Sequence, residues 1–246
     1  MRLNLGLTPE HPCSYLPGEN ARSLVVVDEE QLTPETYDAL LEKGYRRSGD
    51  HVYRPWCHSC RACNAVRIPV RRFRPDRSQR RCRKRNRDLA LEWKPAELTR
   101  EQYQLYLLYQ QQRHTDGDMA HSSLEETREF LLAGWNNVQL LEVRMAGELV
   151  AAAYTDVMPR CLSAVYTFFR PDLGGRSLGT FAILEQIARA ASEGRDWLYL
   201  GYWIADCRKM SYKSRFWPHE IRRPLADFHE ETWELIEKAG TLADGS

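Results

Sequence analysis

Three cysteines stand at regular spacing about a quarter of the way along the chain, in the pattern Cys57-x-x-Cys60-x-x-Cys63. Thiolates at this spacing can converge on one metal ion, because a short turn brings such side chains to the same side. Cys13 is our first choice for a fourth ligand, and zinc or an iron–sulfur cluster would accept this set. Two alternatives for the fourth ligand remain open: His58 and Cys82. The competing interpretation is a compact turn packed by reduced thiols.

Positive charge is concentrated between Arg67 and Arg87, where eleven Arg or Lys residues accompany one acid, Asp76. This segment therefore carries +10, whereas the whole chain carries +1, so the remaining residues sum to −9. Guanidinium groups donate paired hydrogen bonds to phosphate or carboxylate oxygens. We expect the segment to meet anionic partners, with a solvated surface helix as the alternative.

A polar and aromatic stretch follows a predicted strand near residue 200. It contains Tyr202, Asp206, Lys209, Tyr212 and Lys213, a set that can bind anions and move protons. Lys209 and Lys213 are four residues apart, which on a helix would place both on one face toward one anion. A basic surface helix beside buried tyrosines is the alternative interpretation.

The segment from Arg176 to Phe181, with Gly179 inside it, is similar to the loop that holds a coenzyme A pyrophosphate at a helix N-terminus. Phe181 departs from that pattern, and we expect its ring to crowd a pyrophosphate. Coenzyme A is therefore disfavoured, although the helix start stays available to another acyl donor. An ordinary glycine-containing entry to a buried helix is equally compatible with the pattern.

Several function classes are excluded by what the chain lacks. No Gly-x-Ser-x-Gly, Walker, His-Glu-x-x-His or calcium-loop motif occurs, so covalent hydrolase chemistry is not expected. There is no run of eighteen apolar residues and no basic-then-apolar signal at the start. Seven cysteines, an odd number, argue against a disulfide framework. We expect a cytoplasmic protein with no membrane partner.

Hydrophobic periodicity and turn residues predict a mixed order of helices and strands. Helices are predicted from a Thr33–Pro34 start to Gly44, at 77–91, from a Thr99-x-x-Gln102 capping box, from a Ser122-x-x-Glu125 capping box to Gly134, and at 178–191. Strands are predicted at 24–27, 45–47, 51–54, 66–70, 138–144, 149–157, 161–169 and 197–202. Residues 1–23 are predicted to be irregular. This order predicts an α+β protein with a small mixed α/β module over 1–95 and a GNAT-like acyltransferase domain over 96–246.

Motifs spread over nearly the whole chain resemble the arginyl-tRNA-protein transferase family. In the first half these are residues 12–18, 44–49, 53–55 and 66–70, and in the second half residues 177–180 and 209–213. The short length and the three-cysteine form are most like the aspartate/glutamate leucyltransferase subfamily. Eukaryotic relatives carry a cysteine pair near the N-terminus, whereas Cys13 stands alone here.

The resemblance implies transfer of leucine from leucyl-tRNA to proteins that begin with Asp or Glu, which marks them for degradation through the N-degron pathway. No cofactor is required for this chemistry. The residue types themselves suggest the roles: we expect Tyr202 or Tyr212 to steady the leaving ribose oxygen and Asp206 to assist deprotonation of the amine. Binding of tRNA is assigned to Lys209, Lys213, Arg176 and Gly179. The basic helix is expected to serve partly the tRNA backbone and partly the acidic N-terminus, through Arg77, Arg80, Lys84 and Arg85. Competing functions are arginyl transfer on the same scaffold, coenzyme A-dependent N-acetylation, and zinc-stabilised nucleic-acid binding without catalysis.

Overall fold

A computed structural model describes residues 2–113, 121–223 and 232–238. Parts of the predicted second module, residues 114–120, 224–231 and 239–246, lie outside the described residues. The α-helices are α1 Pro34–Glu42, α2 Arg77–Arg85, α3 Arg100–Arg113, α4 Leu124–Leu131 and α5 Leu178–Ser192. The strands up to the first long helix are β1 Leu5–Leu7, β2 His11–Pro12, β3 Asn20–Ala21, β4 Ser23–Val26, β5 Arg46–Ser48, β6 His51–Pro55, β7 Asn64–Pro69 and β8 Ala90–Pro95. The later strands are β9 Val138–Met145, β10 Glu148–Val157, β11 Cys161–Phe169, β12 Trp197–Trp203, β13 His219–Arg223 and β14 Thr232–Ile236.

The largest sheet has eight strands in the order β14-β13-β7-β12-β11-β10-β9-β8. β11 and β12 are parallel, whereas the other neighbouring strands of this sheet are antiparallel. β7 lies between β12 and β13, so the first part of the chain supplies an inner strand. Strands from both sides of the predicted boundary at residue 95 therefore share one sheet. A four-stranded sheet, β1-β4-β6-β5, and the small β2-β3 pair complete the architecture.

Helices cover both faces of the large sheet. One apolar core lies between the sheet and α5, and includes Phe181, Ile187 and Leu198. A second core lies under α3 and α4, and includes Tyr106 and Leu131. Because both faces are covered, the central strands are apolar on both sides, and β10 is buried from its second residue to its last. The described residues contain no helix that is both long and apolar enough to cross a membrane.

The helix starts follow capping rules, with one shift from the prediction. The backbone N–H of Thr36 donates to the Thr33 side chain at α1, as predicted from the Thr-Pro pair. The predicted box at residue 99 is also present. At α4 the cap is Ser123 paired with Glu126 rather than Ser122 with Glu125. Each pair has the same three-residue spacing, so the sequence alone could not separate them.

The predicted helix over 77–91 is wrong in its last part. α2 ends at Arg85, and Ala90 is already paired with Arg144 of β9. The side-chain amide of Asn86 donates to the carbonyl oxygens of Cys82 and Arg176, at 3.0 and 2.9 Å. The buried Asn86 amide thus hydrogen-bonds a carbonyl oxygen in the last turn of α2 and another just before α5. These two bonds hold the chain beside the start of α5, and the helix ends there.

A buried ion pair joins the two larger sheets. Arg47 of β5 and Asp156 of β10 are each about 1% exposed or less, and the Arg47 Nη2 to Asp156 Oδ1 distance is 2.7 Å. The guanidinium also donates to the carbonyl oxygens of Gly49 and Leu131. Successive side chains of a strand point to opposite faces, so Arg46, its neighbour on β5, points away from this pair.

Candidate active site

A gap opens between the parallel strands β11 and β12. Their pairing stops at Ser163 with Tyr199, although both strands continue for several residues beyond this point. Gly201 of β12 has a left-handed φ of +76° at a register shift against β7. The backbone there turns away from its neighbour, so groups from other elements can enter between the strands.

The guanidinium of Arg46 occupies this gap. Its Nη2 donates to the carbonyl oxygen of Val165 on β11, at 2.8 Å. A Cβ placed on Gly201 of β12 would lie 2.6 Å from the Arg46 Nη1. Position 201 therefore requires glycine twice over, for its positive φ and for the close approach of Arg46.

Lys213 lies beside Arg46 and is buried, with 6% of its surface exposed. Its Nζ donates to the carbonyl oxygen of Tyr202 at 2.5 Å. Burial, and secondarily the positive charge of Arg46, lower the pKa of Lys213 to about 7, against a smaller opposing effect of Cys207. Burial removes the water that solvates the ammonium group, and this disfavours its charged form. The neutral amine is therefore populated near physiological pH. Lys213 is thus the described residue best suited to accept a proton here.

Aromatic hydroxyl groups surround the Arg46 guanidinium. Burial acts to lower the pKa of Arg46, but Tyr53, Tyr15, Tyr37 and Tyr202 raise it above its usual value. The N-terminal arm contributes to this wall, because Leu16 packs against the cluster formed by residues 204, 207 and 210. The prediction that residues 1–23 are irregular is wrong in part, because this arm contains the short strands β1, β2 and β3. The arm is held against the end of β12.

The three predicted catalytic residues lie in different surroundings. The hydroxyl of Tyr202 donates toward the carbonyl oxygens of Gly44 and Tyr53, at 2.9 and 3.2 Å. It is committed to the backbone, which does not fit the expected contact with a leaving oxygen. Tyr212 is 43% exposed, and its ring centroid is 6.0 Å from the Lys213 Nζ. Asp206 is exposed on the loop after β12.

Lys209 and Lys213 do not form the predicted stripe. The segment folds as two short 3-10 turns, Arg208–Met210 and Lys213–Arg215, rather than as one α-helix. Lys209 is exposed, whereas Lys213 points inward to the Tyr202 carbonyl. The four-residue spacing therefore does not place them on one face, and the buried Lys213 does not fit a contact with surface phosphates.

The segment that connects α2 to β8 contacts the residues at the start of α5. Arg176 forms a two-pronged ion pair with Asp88, at 2.8 and 2.9 Å. A Cβ on Gly179 would lie 3.0 Å from the Phe169 ring, so its small size serves packing. Phe181 is 4% exposed and belongs to the core under α5. The expectation that its ring crowds the approach of a pyrophosphate is wrong, because the ring faces inward.

The basic segment presents an exposed face on α2. Arg77, Arg81, Lys84 and Arg87 are exposed, and within the described residues none of them forms an ion pair. Other cations of the segment are engaged. Arg80 donates to the Pro75 carbonyl at 2.6 Å, Arg83 pairs with Glu185 at 3.0 Å, and Arg85 donates to the Gly175 carbonyl. The unpaired members suit an extended polyanion better than a single carboxylate.

Comparison with known proteins decides the family. The profile described as "Arginine-tRNA-protein transferase, N terminus" matches residues 11–81, and the one described as "Arginine-tRNA-protein transferase, C terminus" matches residues 101–223. The chain belongs to this family. Both matched regions contribute to the site, because the first contains Arg46 and the second contains Gly201 and Lys213.

Relatives within this family match over nearly the full length. An "Aspartate/glutamate leucyltransferase" of Pseudomonas paraeruginosa is 48% identical over 235 residues, covering 96% of this chain and 97% of that protein. One of Aeromonas hydrophila is 47% identical over 222 residues, covering 89% of this chain and 91% of that protein. Among solved structures, L-PGS from Bacillus licheniformis has a TM-score of 0.44 at 12% identity, covering 68% of this chain and 50% of that chain.

The family member described here keeps its predicted metal-ligand cysteines near one another. Burial raises the pKa of Cys63 to about 12, helped by Cys57, Cys13 and Cys60. Cys57 Sγ also lies 3.8 Å from the Arg22 carbonyl oxygen. Within the ranges that the structure describes, no three His, Cys, Asp or Glu side chains are arranged to hold a metal ion. The four thiols do not fit a ready-made site, metal binding stays a prediction, and no step of the reaction is derived from it.

Arg46 is the main residue that sequence reasoning missed. It lies inside the family-like segment of residues 44–49, yet nothing in its local pattern separates it from Arg47. One signal was available, since a glycine in a strand interior often marks a bulge or a close approach. Gly201 is such a glycine, but its partner lies 155 positions earlier in the chain.

Proposed function

We propose that this protein transfers leucine from leucyl-tRNA to the N-terminal amine of proteins that begin with Asp or Glu, marking them for N-degron degradation. The observation that carries this proposal is the near-full-length similarity, at 48% identity, to a protein named aspartate/glutamate leucyltransferase. The fold is GNAT-like in this proposal. Its support is the antiparallel run β8 to β11 followed by α5 and the parallel, diverging strand β12.

The reaction is aminolysis of an activated ester. The neutral α-amine attacks the leucyl carbonyl carbon, an amide bond forms, and the ester bond to the tRNA ribose breaks. The amine loses one proton and the departing ribose oxygen gains one. A free α-amine has a pKa near 7.7–8.0, so much of it is protonated at neutral pH. Neutral Lys213 would accept the proton that the amine loses as the amide bond forms, and so would lower the barrier to attack.

Tyr212 is the predicted catalytic side chain that best retains its assignment. It lies beside Lys213 and is partly exposed, so its hydroxyl can meet a bound ester from the solvent side. We assign it to the leaving ribose oxygen, as a hydrogen-bond donor. Tyr202 becomes a positioning residue, since its carbonyl oxygen holds Lys213 and its hydroxyl holds the β5–β6 hairpin.

The exposed face of α2 supplies the tRNA-binding surface in this proposal. We expect the double substitution Arg81→Gln with Lys84→Gln to weaken leucyl-tRNA binding. Each lost phosphate contact should reduce the magnitude of the slope of log affinity against log salt by about 0.7–0.9, so the two substitutions should reduce it by roughly 1.4–1.8. Filter binding over a series of salt concentrations measures this slope.

A charge-matched control separates this contact from general charge effects. Arg128 is partly exposed and Arg223 is exposed, and they are paired with Glu125 and Glu234, at 2.8 and 2.7 Å. The double substitution Arg128→Gln with Arg223→Gln removes the same formal charge elsewhere. An equal loss of slope in both double variants would contradict a tRNA surface on α2.

The reaction class is tested with purified protein and peptides beginning with Asp, Glu, Lys or Ala. We expect labelled leucine from leucyl-tRNA on the Asp and Glu peptides, and no acetyl group from acetyl-coenzyme A on any peptide. Acetyl transfer would favour the N-acetyltransferase alternative. Binding of tRNA without transfer to any peptide would favour a binding protein. We expect the reaction to take place in the cytoplasm, because its donor is charged tRNA.

A further inference from the structure

We propose that Arg46 binds the side-chain carboxylate of the N-terminal Asp or Glu, and so determines the choice of acidic acceptors. The inference rests on the proposed function for the class of acceptor. It replaces the expectation that α2 residues Arg77, Arg80, Lys84 and Arg85 read this carboxylate. Four observations support it: the position of Arg46, its missing carboxylate partner, its geometry and its neighbour Lys213.

The position of Arg46 is enclosed by two strands. Its guanidinium lies between the Val165 carbonyl of β11 and Gly201 of β12, and the side chain is partly exposed. A long tRNA backbone would meet the open face of α2 more readily than a single cation recessed between strands. A short carboxylate side chain can enter such a recess, because it presents its charge at the tip.

Among the residues that the structure describes, no carboxylate is paired with Arg46 as one is with comparable arginines. Arg47 is paired with Asp156, and the mostly buried Arg67 is paired with Glu220 at 2.7 Å. For Arg46, the part of the chain that the structure describes supplies the Val165 carbonyl and surrounding phenols. Asp156 is near enough to sense its charge, but both oxygens of that carboxylate accept from Arg47. A recessed guanidinium that is not paired with a carboxylate of the protein can bind the carboxylate of a ligand.

The guanidinium geometry suits a carboxylate. An arginine carries five N–H donors in a planar fork, and a carboxylate accepts two of them side by side. One donation to the Val165 carbonyl fixes the orientation of the plane and leaves further N–H groups for a ligand. The arrangement holds the fork in place before the acceptor arrives, which lowers the entropy cost of binding.

The neighbouring Lys213 links recognition to chemistry. The charge of Arg46 is close enough to lower the pKa of Lys213. In an N-terminal Asp or Glu, the α-amine and the side-chain carboxylate belong to one residue and are separated by a few bonds. One acceptor residue can therefore place its carboxylate at Arg46 and its amine toward Lys213. A peptide with a neutral first residue would lose the first of these two contacts.

The test combines Arg46→Gln with peptides beginning with Asp or Asn, which differ in charge but hardly in shape. We measure peptide dissociation constants by fluorescence anisotropy and kcat/KM by leucine transfer. The wild-type preference for Asp over Asn should fall by about 10- to 100-fold in the variant, the worth of a charge-assisted hydrogen bond. The KM for leucyl-tRNA should stay within about twofold, since the tRNA contacts are elsewhere in this account.

Two further variants keep the test decisive. Arg46→Lys retains a cation, and should keep a preference for Asp that is weaker than in the wild type because the paired donors are lost. Arg128→Gln, on the exposed face of α4, should keep the wild-type preference. An unchanged preference in Arg46→Gln, or a raised KM for leucyl-tRNA alone, would overturn the role of Arg46. Absence of any leucine transfer by the wild type would instead overturn the proposed function.

Discussion

Replacing Lys213 with methionine should reduce leucine transfer on the order of 10²- to 10⁴-fold, the range that a positioned general base contributes. Methionine has a similar length but cannot accept a proton. The affinity for leucyl-tRNA should be unchanged, because the Lys213 side chain is buried against the Tyr202 carbonyl. Single-turnover transfer and filter binding measure the two quantities separately.

The pH dependence of the rate provides a second readout. Since the pKa of Lys213 is about 7, its neutral form increases as pH rises through that value. The wild-type kcat/KM should therefore rise with pH to about 7 and again near 7.7–8.0, where the acceptor amine loses its proton. Lys213→Met should retain the second rise alone. Lys213→Arg should lose activity to a similar extent, because a guanidinium stays protonated in this range.

The Lys213→Met substitution should change stability and activity in opposite directions, lowering activity and raising stability at pH 7. The folded state disfavours the Lys213 proton, and the unfolded state binds it up to a pKa of about 10.4. Unfolding free energy in the wild type should therefore rise as pH increases from 7 toward 10, and this rise should be missing in Lys213→Met. At pH 7 the variant should be more stable, by about 1–2 kcal/mol. A large, salt-dependent loss of tRNA affinity in Lys213→Met would instead support phosphate binding by this residue.

Substituting Gly201 with alanine should lower kcat/KM by about 100-fold, the cost of a displacement near 1 Å in a catalytic site. The new methyl group would lie 2.6 Å from the Arg46 Nη1, so the guanidinium must shift. The positive φ of +76° adds a backbone penalty of about 1 kcal/mol. Transfer to an Asp peptide and urea unfolding measure the two effects.

Gly147 offers a matched control. It has a φ of +89° in the β9–β10 turn, and an added Cβ there would meet nothing within 4 Å. Gly147→Ala should therefore lose a similar amount of stability and keep its activity. Equal activity in the two alanine variants would contradict a functional need for Arg46 in the gap between β11 and β12.

Local patterns were sufficient for most elements of the fold. The Thr33–Pro34 start, the β5–β6 hairpin, β9 to β11 and α5 all follow from caps, turns and periodicity near their own residues. Pairing over long distances could not be predicted in this way. The insertion of β7 between β12 and β13 and the strand character of residues 90–95 depend on contacts with segments far along the chain.

The candidate site was also predicted only in part, because local patterns do not show which distant segments come together. Sequence reasoning found the segment that contains Lys213 and Tyr212, because its polar and aromatic residues follow a strand end. It treated Lys209 and Lys213 as equivalent, since a helical spacing carries no information about two separate turns. Arg46 became visible only when three distant strands were brought together around it.

Leucyl-tRNA should be the preferred donor, and a competition assay measures this preference. Equal concentrations of leucyl-tRNA and arginyl-tRNA, each with a different radiolabel, are offered together to the purified protein with a peptide beginning with Asp. We expect the leucine label to enter the peptide in large excess over the arginine label. Predominant arginine transfer would contradict the leucyl assignment while leaving the family membership intact.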